Sequence, residues 1–357
     1  MKVIISGGGT GGHLYPALAI GRAYRDLGAE ILYIGSEFGI ENKIMPGGEF
    51  AYRLLPVRAL RGGSLLSLPK SATMAAHAFR EAKKIVREFA PDLIVGTGGY
   101  ASFPVLRAGE ALNVPTLLHE ANAEMGKANL ELAKKAAAVC VTYADTAKQL
   151  KNEANVFLTG MPVRESVVTA DREEGGRYVG IGGDTLLVVI TGGSQGAHHI
   201  NEAMKDYYRR YDGKNVLFYH IVGRLNKTDL PDLDFPFVAA REYEDRMDLV
   251  LARADVCVGR AGASFLAEIA VRGIPSILVP YPFSHGHQEK NAAYYDGRRA
   301  ARMVLDGDMA ASLGPALDGF IGDAALRAEV GANMAKEARA DALKRIVEIG
   351  LELMERK

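Results

Sequence analysis

Two groups of residues in this chain have the types and spacing to do chemistry. The first is Ser6-Gly-Gly-Gly-Thr-Gly-Gly-His13, which follows the apolar run Val3–Ile5 and leads into a helical pattern. After a parallel strand, such a run lets the backbone turn sharply. The helix behind it then points free N–H groups and its positive dipole end at an anion, usually a phosphate. His13 ends the run. The dipole there disfavours an imidazolium, so His13 has two readings: a neutral general base for a hydroxyl, or a hydrogen-bonding residue of the turn. The second group is Arg260-Ala-Gly-Ala-Ser-Phe-Leu-Ala-Glu268 with Pro280-Tyr-Pro-Phe-Ser-His-Gly-His-Gln-Glu-Lys-Asn291. Glu268 falls about one and a half turns into a helix that opens after a strand, where a carboxylate can chelate two vicinal hydroxyls. Gln288 and Asn291 share a helix face, and each amide offers both a donor and an acceptor to a sugar hydroxyl. A polar surface loop and an exposed helix is the other reading of these residues. His285 and His287 lack a carboxylate or Cys to complete a ligand set, so no metal site is expected.

The elements that must position these residues alternate along the chain. Val3–Ser6, Ile31–Ile34, Leu93–Val95, Thr116–Leu118 and Val139–Thr142 read as strands, and about Pro16–Leu27 and Thr73–Phe89 as helices. The order β-α-β-α implies parallel sheets with helices on both faces. An internal repeat is more informative. Thr191-Gly-Gly-Ser-Gln-Gly-Ala-His198 follows Leu186–Ile190 as the first run follows Val3–Ile5. Two such first-strand units predict two Rossmann-like domains in tandem. Further turns at Gly96–Gly99 and Gly259–Ala263 suggest a cleft lined by the carboxyl ends of two sheets. The polar, glycine-rich stretch Asp171–Asp184 reads as a surface loop near the boundary, and about Ala325–Lys357 as helical. No acidic residue ends the second strand (Tyr33-Ile-Gly-Ser), which disfavours a dinucleotide dehydrogenase. Gly-Lys-Ser/Thr is absent, which disfavours a P-loop kinase.

The bulk properties bound the rest. At 357 residues the chain is too long for one ordinary core. A formal net charge of +0 argues against a general nucleic-acid binder. Cys140 and Cys257 lie in apolar strand-like runs and read as buried structural thiols, not a disulfide or metal framework. Met-Lys-Val-Ile-Ile-Ser-Gly reads as a first strand and not as a signal peptide. No apolar run reaches the roughly 18 residues of a membrane span, so a cytoplasmic protein with at most peripheral membrane contact is expected.

These motifs together resemble the MurG family, the UDP-N-acetylglucosamine transferases that complete lipid II in bacterial cell-wall synthesis. The likeness keeps its order over nearly the whole chain. It runs through Gly8-Gly-Thr-Gly-Gly-His13, Gly96-Thr-Gly-Gly-Tyr100, His119-Glu-Ala-Asn122 with Asn129, and Gly160-Met-Pro-Val-Arg164. It continues in Gly192-Gly-Ser-Gln-Gly-Ala197 with Asn201, Arg260-Ala-Gly-Ala263 with Glu268, and His287-Gln-x-x-Asn-Ala292. The resemblance implies the GT-B fold, two Rossmann-like domains facing across a cleft. It places an acceptor- and membrane-facing domain at 1–162, a UDP-GlcNAc-binding domain at 163–340, and a C-terminal helix, 341–357, returning to the first. It implies inverting transfer without a metal or cofactor, with UDP-GlcNAc as a substrate. The muramyl 4-hydroxyl of undecaprenyl-diphospho-MurNAc-pentapeptide would attack, with His13 as the candidate base. On the donor side, Ser194, Gln195 and Gly196 would hold the diphosphate with Arg164, and Glu268 the ribose. Ala263, His287, Gln288 and Asn291 would hold the sugar hydroxyls, with Arg260 also on the donor side, and Glu242–Met247, including Glu244 and Met247, would frame the uracil mostly through backbone. On the acceptor side, Thr10, Gly11 and Gly12 would hold the diphosphate, with Tyr100, Glu120, Asn122 and Asn129 around it. The family usually has Gln where this chain has Ala121, and Asn where it has Met161.

Other activities fit the same fold. A UDP-GlcNAc 2-epimerase would share the nucleotide-sugar half but needs several acidic residues in the cleft, and a non-catalytic sugar-nucleotide regulator would not keep His13, Glu268 and Gln288 together. A lipid-linked acceptor also requires a membrane face. Residues 51–90 carry eight Lys/Arg against two Asp/Glu, and Leu65, Leu66 and Leu68 lie among Arg58, Arg61 and Lys70. Basic residues beside apolar ones form an interfacial pattern, so contact with the cytoplasmic face of the cell membrane is expected here. Anionic vesicles should sediment the protein at low salt, and neutralising Arg58, Arg61 and Lys70 together should release it. Unchanged sedimentation of that triple variant would exclude the segment.

Overall fold

The computed structural model describes residues 1–58, 68–151, 154–213 and 215–356, with backbone alone at 68–72. It divides into two compact units, Met1–Pro162 with Asp341–Lys357, and Val163–Ala340. Each is built on a parallel sheet of short Val/Ile/Leu-rich strands, the composition expected of strands buried on both faces.

The first unit holds β1 (Lys2–Ser6), β2 (Glu30–Ser36), β3 (Ala51–Leu55), β4 (Leu93–Gly96), β5 (Thr116–Glu120), β6 (Ala138–Val141) and β7 (Val156–Leu158). Their spatial order is β3-β2-β1-β4-β5-β6-β7. The chain moves outward from β1 in one direction, then returns to its other side at β4, with Ser6 paired to Gly96. The tail is not one helix. It breaks into Ala324–Lys336 and Ala342–Glu355, and the second piece belongs to the first unit. Ile346, Val347 and Ile349 join the core formed by Val3, Ile5 and Leu93. Tyr24 Oη donates to Val347 O at 3.3 Å. Gly350 permits this approach, since a Cβ there would lie 2.8 Å from Leu93 Cδ2.

The second unit holds β8 (Leu186–Thr191), β9 (Val216–Ile221), β10 (Val238–Arg241), β11 (Val256–Gly259), β12 (Ser276–Leu278) and β13 (Arg302–Met303), ordered β10-β9-β8-β11-β12-β13. The same reversal occurs here, between β8 and β11. Cys140 and Cys257 are fully buried, and burial pushes the Cys140 thiol up to about 12. One expectation fails: the stretch read as a surface loop contains the helix Arg172–Val179. Asp171 caps it by accepting from Glu174 N at 2.9 Å, and Gly180 at φ +82 ends it in the left-handed region. Its glycines serve packing. A Cβ on Gly175 would lie 3.1 Å from Arg253 Cβ in the helix Met247–Arg253.

A buried polar chain ties the helix His198–Tyr208 to β9. Asn201 Nδ2 donates to Val222 O at 3.2 Å and Asp229 Oδ2 at 2.9 Å. Its Oδ1 therefore accepts from His220 Nε2 at 3.0 Å, and His220 Nδ1 accepts from Tyr208 Oη at 3.1 Å. Burial pushes the His220 imidazole down from 6.5 to about 3, so the folded protein keeps it neutral. Below pH 6.5 the unfolded chain binds a proton that the folded one refuses, so His220 makes stability fall with falling pH, by about 1.4 kcal/mol per unit. His220→Gln keeps a donor for Asn201 and removes this dependence. In urea unfolding from pH 6.5 to about 4.5, the stability gap between wild type and variant should shift by about 1.4 kcal/mol per pH unit in the variant's favour. A gap independent of pH would mean that His220 is not held neutral.

Candidate functional site

The carboxyl ends of parallel strands gather loops, and a crevice opens where the strand order reverses. Each unit places two glycine-rich turns at that point. In the first unit they follow β1 and β4. Thr97 N donates to Ser6 O at 2.9 Å, and the single Ser102 hydroxyl hydrogen lies between Ser6 O at 2.9 Å and Gly98 O at 2.8 Å, so the turns are fixed to one another. Gly98, at φ +93, lets two side chains close in, because a Cβ there would lie 3.1 Å from both His13 Nδ1 and Asn129 Nδ2.

His13 is the third residue of the helix Gly11–Asp26, and its Nδ1 lies 3.0 Å from Thr97 O. A carbonyl can only accept, so Nδ1 carries the hydrogen and the lone pair of the neutral ring sits on Nε2. That tautomer suits a base. Thr97 Oγ1 donates to His13 O at 2.7 Å and holds the backbone as well.

The residues expected on the acceptor side come together around this turn, with roles that the structure divides. Thr10 and Gly12 are exposed and Gly11 is partly so, at the opening of the helix. Tyr100 packs on Gly9, where a Cβ would lie 2.6 Å from its ring. Glu120 is buried, and its carboxylate is directed at its neighbours. Oε1 accepts from Asn122 N at 2.9 Å and Asn122 Nδ2 at 3.2 Å, and Oε2 from Asn129 Nδ2 at 2.7 Å. Glu120 thus orients two amides. Ala121 and Met161 are buried apolar residues, so neither presents a surface amide's substitute.

One residue had no signal in the sequence. Glu41 is fully buried beneath the first turn, where its Oε2 accepts from Gly9 N at 2.9 Å and its Oε1 from Ser36 N at 2.8 Å. Tyr33 Oη donates to Gly7 O from the same side. In the sequence it is one of two carboxylates in the polar stretch Glu37-Phe-Gly-Ile-Glu-Asn-Lys43, and nothing there sets it apart from Glu37.

In the second unit the paired turns follow β8 and β11. Ser194 and Gln195 are exposed, and Gly193 and Gly196 both have φ +87. The turn after β9 supports them: Arg224 N donates to Ser194 O at 3.2 Å, and Leu225 N and Asn226 Nδ2 to Gln195 O at 3.2 and 3.1 Å. The helix His198–Tyr208 opens just behind, so its first amides face the same space as Ser194. Arg224 also stacks over the Tyr243 ring at 3.8 Å.

The other residues expected on the donor side divide in the same way. Arg164 and Glu268 meet: Nε and Nη2 of Arg164 reach Glu268 Oε1 at 2.9 and 2.8 Å. Burial pushes the Glu268 carboxyl above its usual range, and Arg164 pulls it back. Ala263 opens the helix Ala263–Arg272 that carries Glu268. His287 opens the helix His287–Asp296, and its Nδ1 is buried with no hydrogen-bond partner. Gln288 Oε1 accepts from Tyr281 N at 3.0 Å, which leaves its NH2 as the end it can offer. Asn291 is fully buried and donates to Ala261 O at 3.2 Å, so this amide braces the turn after β11. Two charged side chains are turned to structural work. Glu244 accepts from Tyr178 Oη at 2.8 Å, Tyr219 Oη at 2.5 Å and Arg246 N at 2.6 Å, so only its backbone is available to a ligand. Arg260 donates to Val279 O and Pro280 O, both at 3.2 Å, and pairs with Asp306. Met247 begins the helix Met247–Arg253 and is partly exposed.

Of the basic segment, Arg58 stacks 3.7 Å over the Phe38 ring. Arg61, Leu65 and Leu66 lie outside the described residues, as do the side chains of Leu68 and Lys70, whose backbone begins the helix Leu68–Phe89. Among the described residues no helix is long and apolar enough to cross a membrane, and no three His, Cys, Asp or Glu side chains group as a metal site would need.

Known proteins match this architecture throughout. Residues 3–141 match the glycosyltransferase family 28 N-terminal domain and residues 187–346 its C-terminal domain. The chain is 38% identical over 322 residues to the UDP-N-acetylglucosamine--N-acetylmuramyl-(pentapeptide) pyrophosphoryl-undecaprenol N-acetylglucosamine transferase of Halothermothrix orenii, covering 87% of each. It is 36% identical over 364 residues to the protein of the same name from Desulforamulus reducens, covering 97% of each. Among solved structures, MurG of Acinetobacter baumannii superposes with a TM-score of 0.81 at 22% identity, covering 98% of this chain and 99% of that one. A UDP-N-acetylglucosamine 2-epimerase described for Listeria monocytogenes shares the fold, with a TM-score of 0.66 at 13% identity, covering 98% and 95%. With both halves matched in order by the family 28 models and relatives above a third identical across almost its whole length, this chain belongs to the MurG family of GT-B glycosyltransferases.

Proposed function

We propose that the protein transfers N-acetylglucosamine from UDP-N-acetylglucosamine to the muramyl 4-hydroxyl of undecaprenyl-diphospho-MurNAc-pentapeptide, converting lipid I to lipid II. The observation that carries this reading is that each unit places glycine-rich turns at its strand reversal, and one of these turns ends in His13, whose Nδ1 is held 3.0 Å from Thr97 O. Two diphosphates and one hydroxyl to deprotonate are what this transfer requires.

The chemistry divides between the units. In the second, Ser194 and the amides of Gln195 and Gly196 receive the donor diphosphate at the opening of the helix His198–Tyr208. Arg164 supplies a cation for the departing UDP, and Glu268 accepts from the ribose hydroxyls. Because these two side chains pair in the structure, donor binding exchanges an internal ion pair for contacts of each partner with UDP. His287 and the NH2 of Gln288 face the sugar, and Ala263 contributes its backbone. In the first unit, Thr10, Gly11 and Gly12 receive the acceptor diphosphate, with Tyr100 and the amides of Asn122 and Asn129 around it. His13 Nε2 takes the proton of the attacking hydroxyl as its oxygen displaces UDP from the anomeric carbon in one inverting step. The sugar nucleotide is consumed, and neither metal nor cofactor has a part in this scheme. A lipid-linked acceptor places the enzyme at the cytoplasmic face of the membrane as a peripheral protein, with the basic segment 51–90 toward the lipid.

With UDP-N-acetylglucosamine and a lipid I analogue, UDP should appear only when both are present. His13→Ala should lower kcat by about 10²–10⁴-fold. Glu268→Ala should raise the donor KM at least about tenfold, the loss expected for hydrogen bonds to a charged group. UDP release without acceptor would point to an epimerase or hydrolase, and a fully active His13→Ala would remove the base.

A further inference from the structure

The buried carboxylate of Glu41 has no part in the scheme above, yet three separate glycines make room for it. A Cβ on Gly8 would lie 2.5 Å from Glu41 Cδ and 2.9 Å from its Oε2. A Cβ on Gly35 would lie 2.8 Å from Glu41 Cγ, and one on Gly39 would collide with both oxygens. Gly8 belongs to the turn after β1, Gly35 to β2, and Gly39 to the loop beyond it. Contacts under 3.0 Å force a shift, so a side chain at any of the three positions displaces Glu41 from where it sits. Desolvating a carboxylate is costly, and here it is answered by two backbone N–H donors, Gly9 at 2.9 Å and Ser36 at 2.8 Å.

We infer that Glu41 is a positioning residue for the acceptor-side turn. It acts by withdrawing the Gly9 N–H from the ligand and fixing Gly9 at φ +87. Two consequences follow. The turn cannot offer all its amides to an anion: Gly9 N is already taken by a carboxylate, and that negative charge beneath Gly8–Gly9 repels a second anion there. The diphosphate must therefore bind farther along, at the free amides that open the helix Gly11–Asp26. The clamp also sets where that helix starts, and so where His13, its third residue, presents Nε2. Glu41 joins the turn to the end of β2, so its loss frees the turn without opening the sheet.

This inference rests on the proposed acceptor site, and one readout is independent of it. Hydrogen exchange of Gly7–His13, followed by mass spectrometry in the full-length protein, should rise at least about tenfold in Glu41→Gln, whose amide can accept from only one of the two N–H groups. Unchanged exchange there overturns the clamp whatever the enzyme does. In steady-state assays Glu41→Gln and Glu41→Ala should lose about 10- to 100-fold in kcat/KM for the lipid I analogue, the scale of a displaced reacting group. The donor KM should stay within about twofold. Gly8→Ala should reproduce the pattern with the carboxylate intact. Equal losses toward donor and acceptor would show general loosening and overturn the positioning role. A wild type that turns over no acceptor while exchange rises in the variant would fault the proposed function and leave the clamp standing.

Discussion

Everything functional in this protein depends on one topological constraint, the reversal of strand order in each parallel sheet. A chain that builds outward from its first strand and then returns to that strand's other side leaves two loops leaving in opposite directions. They cannot cover the gap between them. Between β1 and β4, and again between β8 and β11, that gap is where the unit's two glycine-rich turns begin. Glycines occupy both turns at each gap because side chains would fill it: a Cβ on Gly99, for example, would collide with Gly8 O. An anion there meets oriented N–H groups and the dipole of the helix that follows, without any charged side chain needing to reach it.

Amides so exposed are held in place by buried polar groups that face away from the ligand. Glu41 clamps Gly9 and Ser36, Glu120 orients Asn122 and Asn129, and Asn201 ties the helix His198–Tyr208 to Val222 and Asp229. Each is nearly inaccessible to water, and each has a hydrogen-bond partner on every polar atom of its side chain. An unsatisfied group at such depth would cost several kcal/mol, so these anchors have one arrangement in which the fold is stable. The rigidity of the site follows from that, and the contacting residues are then free to be small or exposed.

Spacing along the chain does not separate anchors from contacts. Asn291 and Gln288 are both amides at helical spacing, and both read as sugar ligands. Asn291 is wholly buried and donates to Ala261 O, while Gln288 is partly exposed and engages Tyr281 N through Oε1 alone. Glu244 turns its carboxylate into the unit, which suits a stretch expected to frame the uracil mostly through backbone, and Arg260, expected on the donor side, spends its guanidinium on Val279 O, Pro280 O and Asp306. The repeat also misleads in one detail. It aligns His13 with His198, yet His13 is the third residue of its helix and bonds to Thr97, whereas His198 is the first of its own and faces Asp229. The stretch at Gly175–Gly176 misled similarly, because glycine permits a loop and a close helix contact equally well.

The sequence by itself determined the two-unit parallel architecture, the four glycine-rich turns and the family. These depend on local patterns: apolar runs of strand length, glycines where the backbone must turn, and motifs in fixed order. The tertiary structure decided which polar side chains look outward and which look in, which residues the last helix packs on in the first unit, and that Glu41 sits under the acceptor-side turn. Those outcomes depend on contacts between segments far apart in the chain, such as Gly9 with Glu41 or Tyr24 with Val347. A one-dimensional spacing rule carries no term for a carboxylate whose partner is a backbone N–H thirty-two residues away.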